Sequence, residues 1–90
     1  AITELEIAVS DSIFSGDVKA IKIIHGHGTG ALKKGVREWC NYQEGRFQGV
    51  IYGEDYSLFN PLASNMRAEC GSPSDPDLER KNGAITYIWL

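Results

Sequence analysis

Ile2, Leu5, Val9 and Ile13 recur at steps of three, four and four along the opening segment, the spacing that lines one face of an α-helix. Gly16 supplies a left-handed stop for that helix, and Asp17 opens a turn. The following run, Val18-Lys19-Ala20-Ile21-Lys22-Ile23-Ile24, is β-branched and nearly continuous, which predicts a strand covered by a helix on at least one face. Beyond the glycine-rich turn His25-Gly26-His27-Gly28-Thr29-Gly30, the residues Leu32, Val36 and Trp39 fall at steps of four and three. They predict a second helix from about Gly30 to Cys40, with Thr29 as its N-cap and Lys33, Lys34 and Arg37 off the apolar stripe, facing solvent. Phe47 to Tyr52 reads as a second strand, in which Gly49 marks a bulge or a close backbone approach.

Gly53 to Gly83 has a different character. Asn60-Pro61 pairs an N-cap residue with proline at the first helical position, Leu62 and Met66 stand one turn apart, and Gly71 is the expected stop. Ser72-Pro73-Ser74-Asp75-Pro76 is turn-rich, and Asn82-Gly83 leads into a last strand, Ala84 to Leu90, where Ile85, Tyr87 and Trp89 alternate with Ala84, Thr86 and Ile88. Helix, strand, helix, strand, insertion, strand is an α/β order, and the first two strands are expected to run parallel across a right-handed helical crossover. Trp39, Trp89 and Met66 are read as core, and Tyr52 and Tyr56 as core or loop packing rather than base-stacking platforms.

Composition narrows the class. Ninety residues, 42% of them hydrophobic, support one domain, residues 1–90, with a small core. No apolar run nears the roughly 18 to 20 residues of a membrane helix, and no basic region followed by an apolar signal segment opens the chain. The expectation is a cytoplasmic protein with no membrane partner, its Cys40 and Cys70 free thiols. The first residue is Ala1 and not Met, so either an initiator was removed or the ninety residues are a piece of something longer. A net charge of -3, taken whole, argues against a nucleic-acid binder held by bulk charge.

The turn after the first strand carries the candidate chemistry. Ligand sites in open α/β sheets collect at the carboxyl ends of strands. Glycines at 26, 28 and 30 allow close backbone approach, and the helix that starts next offers N-H groups and a partial positive charge to a phosphate, with Lys33 and Lys34 in its first turn. As a dinucleotide fingerprint, Gly26-x-Gly28-x-x-Ala31 satisfies the glycine pattern, and Glu54 or Asp55 stands where a ribose acceptor would, but the chain is too short for a full dinucleotide fold. A P-loop is excluded, because glycine followed by lysine and a hydroxyl residue does not occur at the required spacing. His25-x-His27 supplies two metal ligands and no recognisable third.

Lys22-Ile23-Ile24-His25-Gly26-His27-Gly28-Thr29-Gly30-Ala31-Leu32-Lys33-Lys34-Gly35-Val36-Arg37-Glu38-Trp39 closely resembles the second signature of the Smr (small MutS-related) domain, a strand ending in His-Gly-x-Gly, then Thr-Gly and a basic amphipathic helix. The likeness covers residues 1 to about 51 and 84 to 90. It implies a two-layer α/β sandwich with a small mixed sheet, like the C-terminal domain of a bacterial translation initiation factor. It also implies nicking or structure-selective endonuclease activity on DNA or RNA, as in DNA repair and recombination. The family's first signature, a strand with Leu-Asp-x-His-Gly, would lie just before Ala1, so the ninety residues are expected to be N-terminally truncated and to bind without cutting on their own. The connection 53–83 is longer than the family's and acidic at Glu54, Asp55, Asp75, Asp77 and Glu79; no family role transfers to it.

By that resemblance His25 is the catalytic candidate, able to activate water, protonate a leaving oxygen or bind phosphate as a cation, against the alternative that it only shapes the turn. Gly26, His27, Gly28, Thr29 and Gly30, with Lys33, Lys34 and Arg37, are the candidate nucleic-acid contacts. No metal ligand is assigned; a divalent cation is one candidate cofactor. A larger parent protein, or a protein partner held by the insertion, is the other candidate partner, and a non-catalytic binding module is the alternative function. Charge distribution favours the first reading. Residues 1–16 carry three acids and no base, residues 17–47 six bases and three acids, and residues 48–90 three bases and six acids. The cations gather where the glycine turn lies, and binding is expected to be weak and salt-sensitive.

Overall fold

The computed structural model describes residues 2–26, 30–43 and 45–90. The order is α1 (Ile2–Ser15), β1 (Ala20–Ile24), α2 (Ala31–Tyr42), β2 (Gly49–Tyr52), a short 3-10 turn (Gly53–Asp55), α3 (Pro61–Glu69) and β3 (Ile85–Trp89). Strands form one sheet in the order β1-β3-β2, and β3 is antiparallel to both neighbours. The expected mixed sheet is therefore wholly antiparallel. β1 and β2 do run in the same direction, but β3 lies between them, so no parallel pair is hydrogen-bonded. Composition explains the placement, since Ala84, Ile85, Thr86, Tyr87 and Ile88 are all buried and only a central strand covered on both faces buries consecutive residues.

Registers Ile21–Ile88–Val50 and Lys22–Tyr87–Ile51 put alternate residues on opposite faces of the sheet. One face packs Ile88 against Leu5 and Val9 of α1 and Val36 and Cys40 of α2. The other packs Ile51, Ile85 and Tyr87 against Tyr56 and against Ala63 and Met66 of α3. Helices therefore cover both faces, and the two-layer expectation becomes three layers because the connection after β2 folds back over the second face instead of looping into solvent. Val9, Ile51, Ile85 and Ile88 are the largest fully buried aliphatic side chains, each stabilising the fold by roughly 1.5 to 3 kcal/mol.

α1 buries Leu5 and Val9, while Ile13, expected on the same stripe, is half exposed. The chain leaves α1 through Gly16 at φ 75°, with its amide on the Ser12 carbonyl. α3 begins as its sequence predicts: Asn60 Oδ1 accepts from the amides of Leu62 (3.0 Å) and Ala63 (3.3 Å), and Pro61 occupies the first helical position. Leu62 fills the space a side chain at Gly49 would need, which is the close approach expected there. Met66 is core as expected; Trp89 is partly buried against the same cluster, and Trp39 against the cluster on the opposite face. Tyr56 is buried and stacks on Tyr87 with ring centroids 4.1 Å apart. Cys40 and Cys70 are free thiols, and burial pushes the Cys40 pKa up to about 11. Among the described residues no helix is long and apolar enough to cross a membrane.

Candidate functional site

β1 delivers His25 and Gly26 to the edge of the sheet, where both amides donate to the Ala84 carbonyl, at 3.0 and 3.1 Å. Gly26 takes φ 76°, turning the chain away from β3. Gly30 re-enters at φ 84° as the N-cap of α2, the position expected for Thr29; the left-handed angle is one glycine adopts without strain. His27, Gly28 and Thr29 lie outside the described residues.

The His25 ring is held at both nitrogens. Nδ1 stands 3.1 Å from the Gly26 carbonyl oxygen, which can only accept, so Nδ1 carries the proton. Nε2 stands 2.9 Å from Thr86 Oγ1. Arg37 Nε donates to that same hydroxyl oxygen at 3.3 Å, so Thr86 links the guanidinium to the imidazole. The chain Arg37, Thr86, His25 thus fixes the orientation of the ring. Thr86 makes this possible because it sits on the α1 and α2 face of the central strand with no solvent exposure.

Arg37 was expected to face solvent, and it does not. Its side chain is 14% exposed, lies with Cζ 3.9 Å from the centre of the Tyr52 ring, and donates to Glu54 through two nitrogens, at 3.1 and 2.5 Å. Glu54 also faces Lys33 at 3.6 Å, so Lys33 is half-buried rather than solvated. The Arg37 hydrogen bonds, with smaller help from Lys33, hold the Glu54 carboxyl at about 2, well below its ordinary 4.5. The physical reason for both corrections is the 3-10 turn after β2, which sets an acid directly over the polar flank of α2. Lys34 alone of the three meets the expectation: it is 77% exposed, with only a 3.9 Å contact to Glu38.

His25 also borders an open cleft of about 280 Å³ whose other walls are Glu4, Leu5, Ile23, Ile24, Leu32 and Val36. Among the described residues no three His, Cys, Asp or Glu side chains gather where they would hold a metal ion.

Two residues of this site escape sequence reasoning. Glu54 stands out in the sequence as a possible ribose acceptor and as one acid of the 53–83 segment, but not as the partner of Arg37, from which it is seventeen positions away. Thr86 has a signal in hindsight, as the polar member of a strand otherwise apolar from Ala84 to Ile88 apart from the Tyr87 hydroxyl; a buried hydroxyl requires a partner.

The chain matches no curated protein and no solved structure significantly. The Smr domain family model matches residues 1–50, which carry α1, β1, the glycine turn, α2 and the first residues of β2. That is more than half of the ninety residues, and the chain belongs to the Smr family, a nucleic-acid-binding domain of the nuclease type.

Proposed function

We propose that the chain binds the sugar-phosphate backbone of DNA or RNA at the turn between β1 and α2, and that in complete form the domain is a nicking or structure-selective endonuclease. The observation that carries the reading is the meeting, within the Smr-matched residues, of His25 at the carboxyl end of β1 with the positively polarised start of α2 and its first-turn lysines. In this reading the backbone of Gly26, Gly28 and Gly30 and the side chains of His27 and Thr29 line the phosphate. Lys33 and Lys34 neutralise it, and Arg37 joins them when Glu54 releases it. His25 works from Nε2 once its contact with Thr86 Oγ1 opens to a water: the ring takes the water proton as the water oxygen bonds to phosphorus, the bond from phosphorus to the leaving oxygen breaks, that oxygen takes a proton from solvent, and the carbonyl of Gly26 keeps the ring oriented. Cutting then needs the Asp and His of the companion signature on a preceding strand, with a divalent cation as candidate cofactor.

One observation favours a non-catalytic binding module instead: both ring nitrogens of His25 are already engaged within the chain. Nicking of supercoiled and branched DNA separates the readings. The assay compares residues 1–90 with a chain extended upstream by a Leu-Asp-x-His-Gly strand, each with and without His25→Ala and added magnesium. The expected outcome is salt-sensitive binding by both chains, nicking by the extended one, and loss of nicking in His25→Ala by about a hundredfold or more. Binding without nicking in either chain would establish the module, and affinity indifferent to salt would overturn the phosphate site.

A further inference from the structure

The segment 75–81 counts three acids and two bases, which on composition makes it an acidic surface. The structure changes what that count means, because every acid accepts hydrogen bonds from groups of the fold, although Glu79 is exposed and Asp77 lines the same cleft as the two bases. Asp75 accepts from Lys22 and from the Tyr87 hydroxyl, both at 2.9 Å. Asp77 accepts from Lys22 and Asn82, and Glu79 accepts from the Ser57 hydroxyl and the Leu58 amide. Arg80 and Lys81 are exposed, and neither pairs with a carboxylate among the described residues. Both border an open cleft of about 580 Å³.

That cleft adjoins the glycine turn. Gly83, in its wall, lies so close to α2 that a side-chain carbon there would stand 3.0 Å from Lys33 Nζ, and the next residue, Ala84, accepts the amides of His25 and Gly26. The loop is also held in a costly conformation, since Glu79 and Lys81 adopt φ 68° and 52°, left-handed angles that non-glycine residues seldom take. Such strain persists where surrounding contacts enforce it, and it is concentrated at binding sites. Here the engaged acids enforce it and leave the two cations facing outward.

We propose that Arg80 and Lys81 form a second phosphate contact, which takes the backbone of the nucleic-acid strand as it leaves the Gly26–Gly30 turn. This rests on the binding reading above but lies outside the residues the Smr family model matches, so it assigns the 53–83 segment a share of the substrate path. A strand held at two places gains affinity and a defined direction across the domain.

The test is fluorescence anisotropy of labelled single-stranded and duplex 20-mers over a salt series. It uses the unmodified chain, Arg80→Gln/Lys81→Asn and Lys19→Glu. Asparagine tolerates the left-handed angle at 81, so the double variant keeps its fold, checked by its urea midpoint. Lys19→Glu removes the same two units of charge at the opposite end of β1. The expected result is a log-log salt slope shallower by roughly 2, and affinity at least about tenfold weaker at low salt, in the double variant only. An unchanged slope in a chain that binds overturns this contact alone. An equal loss in Lys19→Glu overturns it in favour of bulk charge. No salt-dependent binding by the unmodified chain overturns both this contact and the binding reading beneath it.

Discussion

Thr86 and Glu54 fix the chemistry of residues that the sequence already singles out. Replacing Thr86 by valine keeps the shape of the β3 core but removes the hydroxyl that receives Arg37 Nε and faces His25 Nε2. Two half-buried polar groups then lose a partner, and a stability loss of about 1 to 3 kcal/mol is expected in urea unfolding. Glu54 acts differently, as an internal counter-ion to the cations a phosphate would use. Glu54→Gln is expected to cost about 1 kcal/mol of stability, since its carboxylate is partly exposed, and to raise nucleic-acid affinity several-fold by freeing Arg37 and Lys33. Paired urea melts and binding isotherms check both, and unchanged affinity would show that phosphate never competes for these cations. His25, Gly26, Gly30 and the lysines are legible from sequence because strand, glycine turn and helix start are local signals. The Arg37–Glu54 pair is not, because only the return of the chain after β2 brings the two together.

At the scale of elements, local chemistry predicts helices better than it predicts their layering. Asn60-Pro61 announces α3 unaided, and the structure shows why: Asn60 caps two amides while its Nδ2 donates to the Asp55 carbonyl at 3.1 Å, joining α3 to the 3-10 turn. Asn60→Ala is accordingly expected to cost about 1 to 2 kcal/mol, and Asn60→Asp, which keeps the cap but not the Nδ2 donor, less; differential scanning calorimetry of the two separates cap from tether. Gly53 is a harder constraint. A side-chain carbon there would fall 2.0 Å from the Asn82 carbonyl oxygen, so the chain ends flanking the 53–83 segment meet at this residue. Strand order was less legible. The alternation in residues 84–90 reads as a strand of two faces, yet whether both faces are covered depends on α3 folding back, which no spacing within β3 encodes. Hence the shift from a mixed two-layer sheet to an antiparallel sheet between helices.

Across the whole molecule, two charged clusters tie opposite faces of the sheet to the segment after β2. Arg37 and Lys33 meet Glu54 on the α2 side, and Lys22 meets Asp75 and Asp77 on the α3 side. Both sit where strands and the long connection join, so their titration should be felt as global stability. Glu54 is held at about 2, and Asp77 is lowered chiefly by its hydrogen bond from Lys22. The unfolded chain protonates these acids near their ordinary values of 4.5 and 3.8, whereas the folded chain resists. Between those values and about pH 2 the unfolded state therefore binds more protons, and stability falls as pH falls. Lys22 moves the other way: its hydrogen bond to Asp77, then that to Asp75, raise it above 10.5 against the opposing cost of burial. Its contribution is complete below 10.5 and is lost as pH rises through the folded value. The expected profile is thus a plateau from about pH 5 to 9 with an acid limb and an alkaline limb, and the buried Cys40 thiol, pushed up to about 11 from its ordinary 9, adds to the alkaline limb beside Lys22. Urea midpoints across pH in Glu54→Gln and Lys22→Met assign the limbs. The first should flatten the acid limb and leave the alkaline one intact. The second should remove only the Lys22 share of the alkaline limb, because burial also raises Cys40 and Tyr87, and part of the acid limb as well, because Asp77 loses the donor that lowers it. An alkaline limb unchanged in Lys22→Met would mean that the α3-side cluster does not couple the 53–83 segment to the sheet.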